Sequence, residues 1–92
     1  MAKHSYYRLK VSGKVQGVWF SKSTQVQAQA LGLTGWLQNE PNGSVTCVTE
    51  GPEAGLEALV TWCRHGPPHA KVSEINTESI APTGAMSFEV RR

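Results

Sequence analysis

The apolar residues change their spacing along the chain, and these changes limit the folds that the chain can adopt. Near the N-terminus every second residue is apolar, as in a strand with one buried face: Tyr7, Leu9 and Val11. The apolar residues that follow fall at helical spacing: Val26, Ala30 and Leu33. They predict a helix over residues 22–31, with Gly32 as its C-terminal cap. The chain therefore begins with a strand and then a helix.

The remaining elements follow from the same kind of pattern. Strands are predicted over residues 35–39 and 44–50, joined by the turn Pro41-Asn42-Gly43, whose glycine tolerates positive φ. A second helix begins near Pro52 and ends before Gly66-Pro67-Pro68. Its apolar residues recur at i, i+3, i+4 and i+7: Leu56, Leu59, Val60 and Cys63. Two more strands are predicted near residues 70–76 and 86–90, with a loop at Ser79-Ile80-Ala81-Pro82-Thr83-Gly84 between them.

The order of these elements indicates a fold class. Strand, helix, strand, strand, helix and strand are followed by one more terminal strand, and two amphipathic helices can bury their apolar stripes only against a sheet. We therefore predict an α+β fold, a ferredoxin-like two-layer sandwich with an antiparallel sheet and two helices on one face. With 92 residues and no linker or repeat, residues 1–92 are expected to form one domain.

Composition excludes several classes of function. The net charge is only +2 and the basic residues are scattered, which argues against nucleic acid as a partner. The strand at 44–50 also lacks the aromatic residues that stack on RNA bases. No apolar run approaches the roughly 20 residues that span a bilayer, and no signal segment is evident, so we expect a cytoplasmic protein with no membrane partner. A monomer is expected, because no surplus apolar face remains.

The two cysteines and three histidines show no pattern of a metal site. Cys47 and Cys63 lie far apart within apolar patterns and are interpreted as buried thiols. His4, His65 and His69 are interpreted as surface residues. Neither residue type forms a cluster with metal-ligand spacing, so we predict no metal and no other cofactor.

The connection between the first strand and the first helix contains the strongest functional signal. Gly13 and Gly17 allow backbone amides to turn inward, and a helix N-terminus follows directly. Amides in that arrangement form a cradle for an anion such as phosphate. The spacing matches neither nucleotide-binding glycine motif, so a small phosphoryl compound is a better fit than ATP or NAD. Taken alone, the same glycines are also consistent with a plain tight turn.

Two longer stretches resemble a known family. The stretches "GKVQGVWF" and "GLTGWLQNEPNGSV", together with the element order and length, resemble acylphosphatase over essentially the whole chain. The resemblance implies metal-independent hydrolysis of acyl phosphates to carboxylate and inorganic phosphate. It also implies that the backbone of the glycine turn surrounds the phosphoryl oxygens: Lys14, Val15, Gln16, Gly17, Val18, Trp19 and Phe20.

The resemblance also assigns two catalytic positions. Asn39 matches an asparagine that orients the attacking water, although an asparagine there could instead serve the hairpin turn. Ser21 stands where the family has an arginine that clamps the phosphate. Loss of a comparable donor costs roughly 2.7 to 4 kcal/mol, so we expect impaired hydrolysis. The alternative is a module that binds phosphate or an acyl phosphate without turnover.

Ser21 raises two further questions. Its hydroxyl could cap the first helix, as could Ser23, or Thr24 in a capping box with Gln27. Another cation could replace the arginine. Lys14 in the turn is the better placed, because Lys22 is expected to point about 100° round the helix from Ser21.

The aromatic residues are assigned mainly to packing. Phe20 is expected in the core beneath the turn, and Trp36 and Trp62 are interpreted as packing residues. Trp19 is placed over the pocket or at its rim.

Overall fold

Two helices and five strands make up the fold in a computed structural model that describes residues 3–17 and 20–91. Their order confirms the predicted ferredoxin-like α+β sandwich. The elements are β1 (His4–Lys14), α1 (Phe20–Ala30), β2 (Thr34–Asn39), β3 (Val45–Pro52), α2 (Glu53–His65), β4 (Lys71–Ser79) and β5 (Phe88–Arg91). Within the described residues, no helix is long and apolar enough to cross a membrane.

The five strands form one sheet in the order β4-β1-β3-β2-β5. Three of the pairings are antiparallel, but β5 runs parallel to β2, with Gly35 opposite Phe88 and Gln38 opposite Arg91. The sheet is therefore mixed, and the expectation of a purely antiparallel sheet is wrong in this pairing. The reason is the connection after β4, which crosses the sheet over β1 and β3. Its amides donate to Tyr6 O from Ile80 (3.0 Å) and to Glu50 Oε2 from Thr83 (3.2 Å).

Both helices pack on one face of the sheet. Odd-numbered strand residues such as Leu9, Leu37 and Cys47 face the helices and are almost fully buried. The helices contribute a second set of core residues: Phe20, Ala28, Leu56, Leu59 and Cys63. The even-numbered residues of β1, β2 and β3 lie on the opposite face, here called the open face, whereas in β5 the even-numbered Phe88 and Val90 lie on the helix side.

Helix α2 follows its predicted pattern, but α1 does not. Leu56, Leu59 and Cys63 are buried and α2 ends at His65, where Gly66 N donates to Trp62 O (2.8 Å). In α1 the buried residues are instead Phe20, Thr24 and Ala28, which are spaced four residues apart. The predicted stripe that includes Val26 is wrong, since Val26 is 50% exposed. The large Phe20 ring sets which side of α1 faces the sheet, and small residues follow it.

The remaining differences concern boundaries and termini of elements. Strand β4 extends to Ser79, and β5 begins only at Phe88, so Met86 lies outside the strand and is 95% exposed.

The prediction of buried free thiols is confirmed for Cys47 and Cys63. Burial raises the pKa of the Cys63 thiol to about 12 and raises that of Cys47 further, so both remain protonated at neutral pH.

Candidate functional site

A cavity of about 720 Å³ lies where the β1–α1 connection, the end of β2 and the strand β5 meet. It is called the helix-end cavity below. In the part of the chain that the structure describes, its wall consists of Val15, Gly17, Phe20, Ser21, Lys22, Gln25, Asn39 and Val90. Six of these eight residues come from the stretch between Val15 and Gln25, so a short piece of sequence builds most of the site.

Ser21 and Asn39 meet in this cavity. Asn39 is the last residue of β2 and continues the register of Leu37, so its side chain lies on the helix side of the sheet. The Ser21 hydroxyl donates to Asn39 Oδ1 across 3.4 Å. The structure therefore brings together the two side chains that the sequence proposes for catalysis, although they lie 18 residues apart.

Ser21 does not act as the helix cap in this arrangement. Helix α1 begins at Phe20, which places Ser21, and also Ser23 and Thr24, inside the helix. Within the described residues no backbone amide donates to the Ser21 hydroxyl, and Thr24 is fully buried against the core. Ser21 thus lies on the wall of the cavity, with its hydroxyl directed at Asn39.

The glycine turn borders the cavity on one side. Gly17 has φ +72° and is exposed, and no atom of the described residues beyond its chain neighbours lies within 4 Å of the position that a Cβ would occupy. The left-handed backbone at this residue favours glycine. Val15 next to it buries its side chain in the core. Val18 and Trp19, which the sequence also assigns to the phosphate-binding turn, lie outside the described residues.

Gln16 fastens the turn to the β2–β3 hairpin. Its side-chain amide donates to Glu40 O (2.8 Å) and to Ser44 O (2.9 Å), which uses both amide hydrogens. The side-chain N–H groups therefore have a structural role, which leaves the backbone N–H of Gln16 to donate to an anion. Sequence analysis missed this tether, because it depends on a turn 24 residues away.

Phe20 forms the floor between the cavity and the core. It is 1% exposed and its ring centroid lies 6.1 Å from that of Trp62, which is half-buried. Trp36 is half-buried on the open face, where the Arg91 guanidinium lies 4.3 Å from its ring centroid. These positions agree with the predicted packing roles of the three aromatic residues.

Among the described residues Lys22 is the cation that lines the cavity, whereas the sequence favours Lys14 as the substitute for the arginine. Lys14 ends β1 in an exposed position opposite Lys71 and is not part of the cavity wall. Lys22 is part of it, despite its displacement around the helix from Ser21. A long flexible stem allows a lysine to reach back across that angle.

Gln25 and Val90 also border the cavity without having been predicted. Gln25 follows Ser21 by four residues, so helical spacing alone places the two on one face and could have indicated it. Val90 reaches the cavity only through the parallel pairing of β5 with β2, where it lies opposite Leu37. No local pattern predicts that pairing.

The charge of the wall favours an anion. Of the residues that the structure describes, Lys22 is the charged member of the wall, and neither aspartate nor glutamate is among them. The first turn of α1 adds the partial positive charge of a helix N-terminus. In residues 3–17 and 20–91, no group of three or more His, Cys, Asp or Glu residues could hold a metal ion. The three histidines are exposed.

Comparisons with known proteins agree with one another. The family model described as Acylphosphatase matches residues 7–90. The acylphosphatase of Rubrobacter xylanophilus is 48% identical over 85 residues, which cover 91% of this chain and 77% of that protein. The crystal structure of acylphosphatase from Bacillus subtilis superposes with a TM-score of 0.93 at 33% identity, covering 98% of this chain and all of the other. The structure of an acylphosphatase from Coxiella burnetii gives a TM-score of 0.92 at 40% identity, covering 96% and 93%.

Proposed function

Because this chain belongs to the acylphosphatase family, we propose that it hydrolyses acyl phosphates to a carboxylate and inorganic phosphate in the helix-end cavity. The observation that carries the proposal is the contact between Ser21 and Asn39 beside the open backbone of Gly17. This contact supports the proposal because it brings an amide able to orient water near a backbone suited to phosphoryl oxygens.

In the proposed reaction the phosphoryl group occupies the turn formed by residues 14–20. Backbone amides and the N-terminus of α1 neutralise its oxygens, as they do at other helix N-termini. Asn39 accepts a hydrogen bond from a water and so holds the water oxygen in line with phosphorus. Asn39 is exposed at the cavity, so water reaches it freely.

The water oxygen then forms a bond to phosphorus while the bond between phosphorus and the acyl oxygen breaks. The electron pair of that bond leaves with the carboxylate, and the protons of the water end on phosphate oxygens and solvent. A carboxylate is a weakly basic leaving group, so its departure needs little proton donation. The proposal therefore includes no general acid, metal or other cofactor.

We further propose that hydrolysis is impaired by Ser21. An arginine at this position would offer two parallel charged hydrogen bonds, whereas serine offers one neutral hydrogen bond. In this chain that hydrogen bond goes to Asn39 Oδ1. Removal of a comparable electrostatic donor lowers a rate by about 100- to 1000-fold.

Hydrolysis of acetyl phosphate by the natural chain and by Ser21→Arg tests this function. The variant should be faster by about 100-fold or more. Ser23→Arg is the matched control, because it adds the same charge two residues along α1, beside a different cavity. It should not accelerate hydrolysis comparably.

The absence of turnover in both the natural chain and Ser21→Arg would rule out the enzymatic proposal. If phosphate still bound to the natural chain, the non-catalytic binding module would then be the correct description.

A further inference from the structure

We propose that Lys22 partly replaces the missing arginine by supplying positive charge to the phosphoryl group, and that Gln25 positions the Lys22 ammonium. This inference rests on the proposed function, since it concerns the same cavity and the same substrate class. It assigns roles to two residues of α1 that lie outside the glycine turn.

The first argument is the position of Lys22. Ser21 and Lys22 are consecutive in α1, and both contribute to the wall of the helix-end cavity. Within residues 3–17 and 20–91 the wall has no aspartate or glutamate, so no acidic side chain of this part of the chain competes there with a phosphoryl group for the ammonium. The Lys22 ammonium is therefore available to pair with a phosphoryl group bound in the cavity.

The second argument is the hydrogen bonding of Gln25. Gln25 Nε2 lies 3.0 Å from Phe88 O, and a backbone carbonyl can only accept. The amide nitrogen must therefore face Phe88, which turns the side-chain oxygen the other way. Lys22 Nζ lies 3.5 Å from that oxygen, on the turn of the helix that borders the cavity. The backbone carbonyl of Phe88, the first residue of β5, thus orients the Gln25 side chain. The amide oxygen of Gln25 then faces the Lys22 ammonium.

A lysine compensates for the lost arginine only in part. Its ammonium is a point charge on a flexible stem, whereas arginine presents a rigid fork that matches two phosphate oxygens. The assignment therefore predicts a site that retains charge stabilisation but has lost bidentate geometry. It also predicts that the contribution of Lys22 depends on which residue occupies position 21.

The test compares Lys22→Gln with Lys10→Gln in acetyl phosphate hydrolysis and in binding of inorganic phosphate. Lys10 is the matched control because it loses the same charge from the open face of the sheet. Lys22→Gln should lower kcat/KM and weaken phosphate binding by about tenfold or more, the usual value of a charged hydrogen bond. Lys10→Gln should change both by less than about twofold, and Lys22→Arg should retain most of the natural activity.

The same substitution in the Ser21→Arg background separates a ligand contact from a general loss of charge. With an arginine at position 21, Lys22→Gln should cost much less than it does in the natural chain, because the arginine already supplies the charge. Equal costs in both backgrounds would contradict the replacement of one cation by the other.

The role of Gln25 has its own readout. Gln25→Leu should reduce hydrolysis in the natural chain but have little further effect when Lys22 is already Gln, whereas any loss of stability should be equal in both. An undiminished effect of Gln25→Leu in the Lys22→Gln background would contradict its positioning role.

Two negative results have different meanings. If the natural chain hydrolyses acetyl phosphate or binds phosphate, but Lys22→Gln behaves like Lys10→Gln, the assignment of Lys22 is wrong and the proposed function stands. If neither the natural chain nor Ser21→Arg binds phosphate or hydrolyses acetyl phosphate, the proposed function fails and this inference fails with it.

Discussion

The helix-end cavity and a second cavity on the open face are similar in size but differ in the arrangement of their charges. The open-face cavity has a volume of about 610 Å³, compared with about 720 Å³ for the helix-end cavity. Its wall consists of Arg8, Lys10, Glu40, Pro41, Asn42, Ser44, Thr46, Asn76 and Glu78. Two cations there are matched by two carboxylates, and Arg8 forms an ion pair with Glu78.

Because of this difference, we expect the cavity with more basic residues to be the poorer anion site. In the open-face cavity the field of Arg8 is largely cancelled by Glu78 beside it. In the helix-end cavity none of the described wall residues beside Lys22 is acidic, and the helix N-terminus adds to its charge. An anion responds to the uncompensated charge, so the number of basic residues alone is a poor guide.

The largest expected difference between the cavities comes from their asparagines. Asn39→Ala should reduce acetyl phosphate hydrolysis by about 100-fold, because a positioned polar group that acts on the transition state is lost. Asn76→Ala, the matched change in the open-face cavity, should leave kcat/KM within about twofold. Steady-state kinetics of the two variants provide the comparison.

If the two asparagine variants lost activity equally, the reaction would not be specific to the helix-end cavity. The Ser21→Arg background increases the sensitivity of this assay, should the natural chain prove too slow to rank the variants.

A smaller effect is expected at Gln16, which connects the two regions. Its side chain binds the carbonyls of Glu40 and Ser44, two residues that line the open-face cavity, while its backbone belongs to the turn beside the helix-end cavity. Gln16→Leu removes both hydrogen bonds and should lower the free energy of unfolding by about 1 to 3 kcal/mol. We also expect weaker phosphate binding, because the turn loses its anchor.

Denaturant unfolding and phosphate titration of Gln16→Leu measure these two effects. Normal phosphate affinity in a destabilised variant would show that the turn holds its shape without the hairpin, and would separate the two regions further.

The smallest effect is expected at the ion pair of the open-face cavity. Arg8 and Glu78 have side chains that are about half exposed, at 53% and 55%, so water screens their attraction. Glu78→Gln should therefore change the free energy of unfolding by less than about 1 kcal/mol and leave hydrolysis unchanged. It also leaves the charge of Arg8 without its carboxylate partner, so the open-face cavity then has an uncompensated cation, as the helix-end cavity does.

Thermal unfolding and phosphate binding of Glu78→Gln provide the measurements. New phosphate binding on the open face would support charge compensation as the reason that this cavity does not compete. A large loss of stability would instead show that the pair has a structural role.

The sequence predicted most of the fold because its elements have clear local periodicity. Leu56, Leu59 and Cys63 repeat at helical spacing and are buried as that spacing requires. The sequence-based prediction is wrong where contacts between distant segments determine the structure. The buried face of α1 is set by Phe20 packing on the sheet, and the direction of β5 is set by the connection that crosses the open face.

The same division applies to the site. Ser21 and Asn39 were identified together because each belongs to a recognisable motif, and the structure places them in contact. The angle of Lys22 on an ideal helix predicts that it points away from the site. That prediction neglects the reach of the flexible lysine side chain. Gln16 and Val90 contribute through contacts with distant segments, which no local pattern in the sequence indicates.

The central claim is that the helix-end cavity, and not the open-face cavity, holds a phosphoryl group. Titration of the natural chain with inorganic phosphate, followed by NMR of backbone and side-chain amides, tests it most directly. We expect saturable shifts at the amides of residues 14–20, at Ser21 and at the side chain of Asn39, with no response at Lys10 or Asn76. Stationary signals around Gly17 at saturating phosphate, or larger shifts at Lys10 and Asn76, would contradict it.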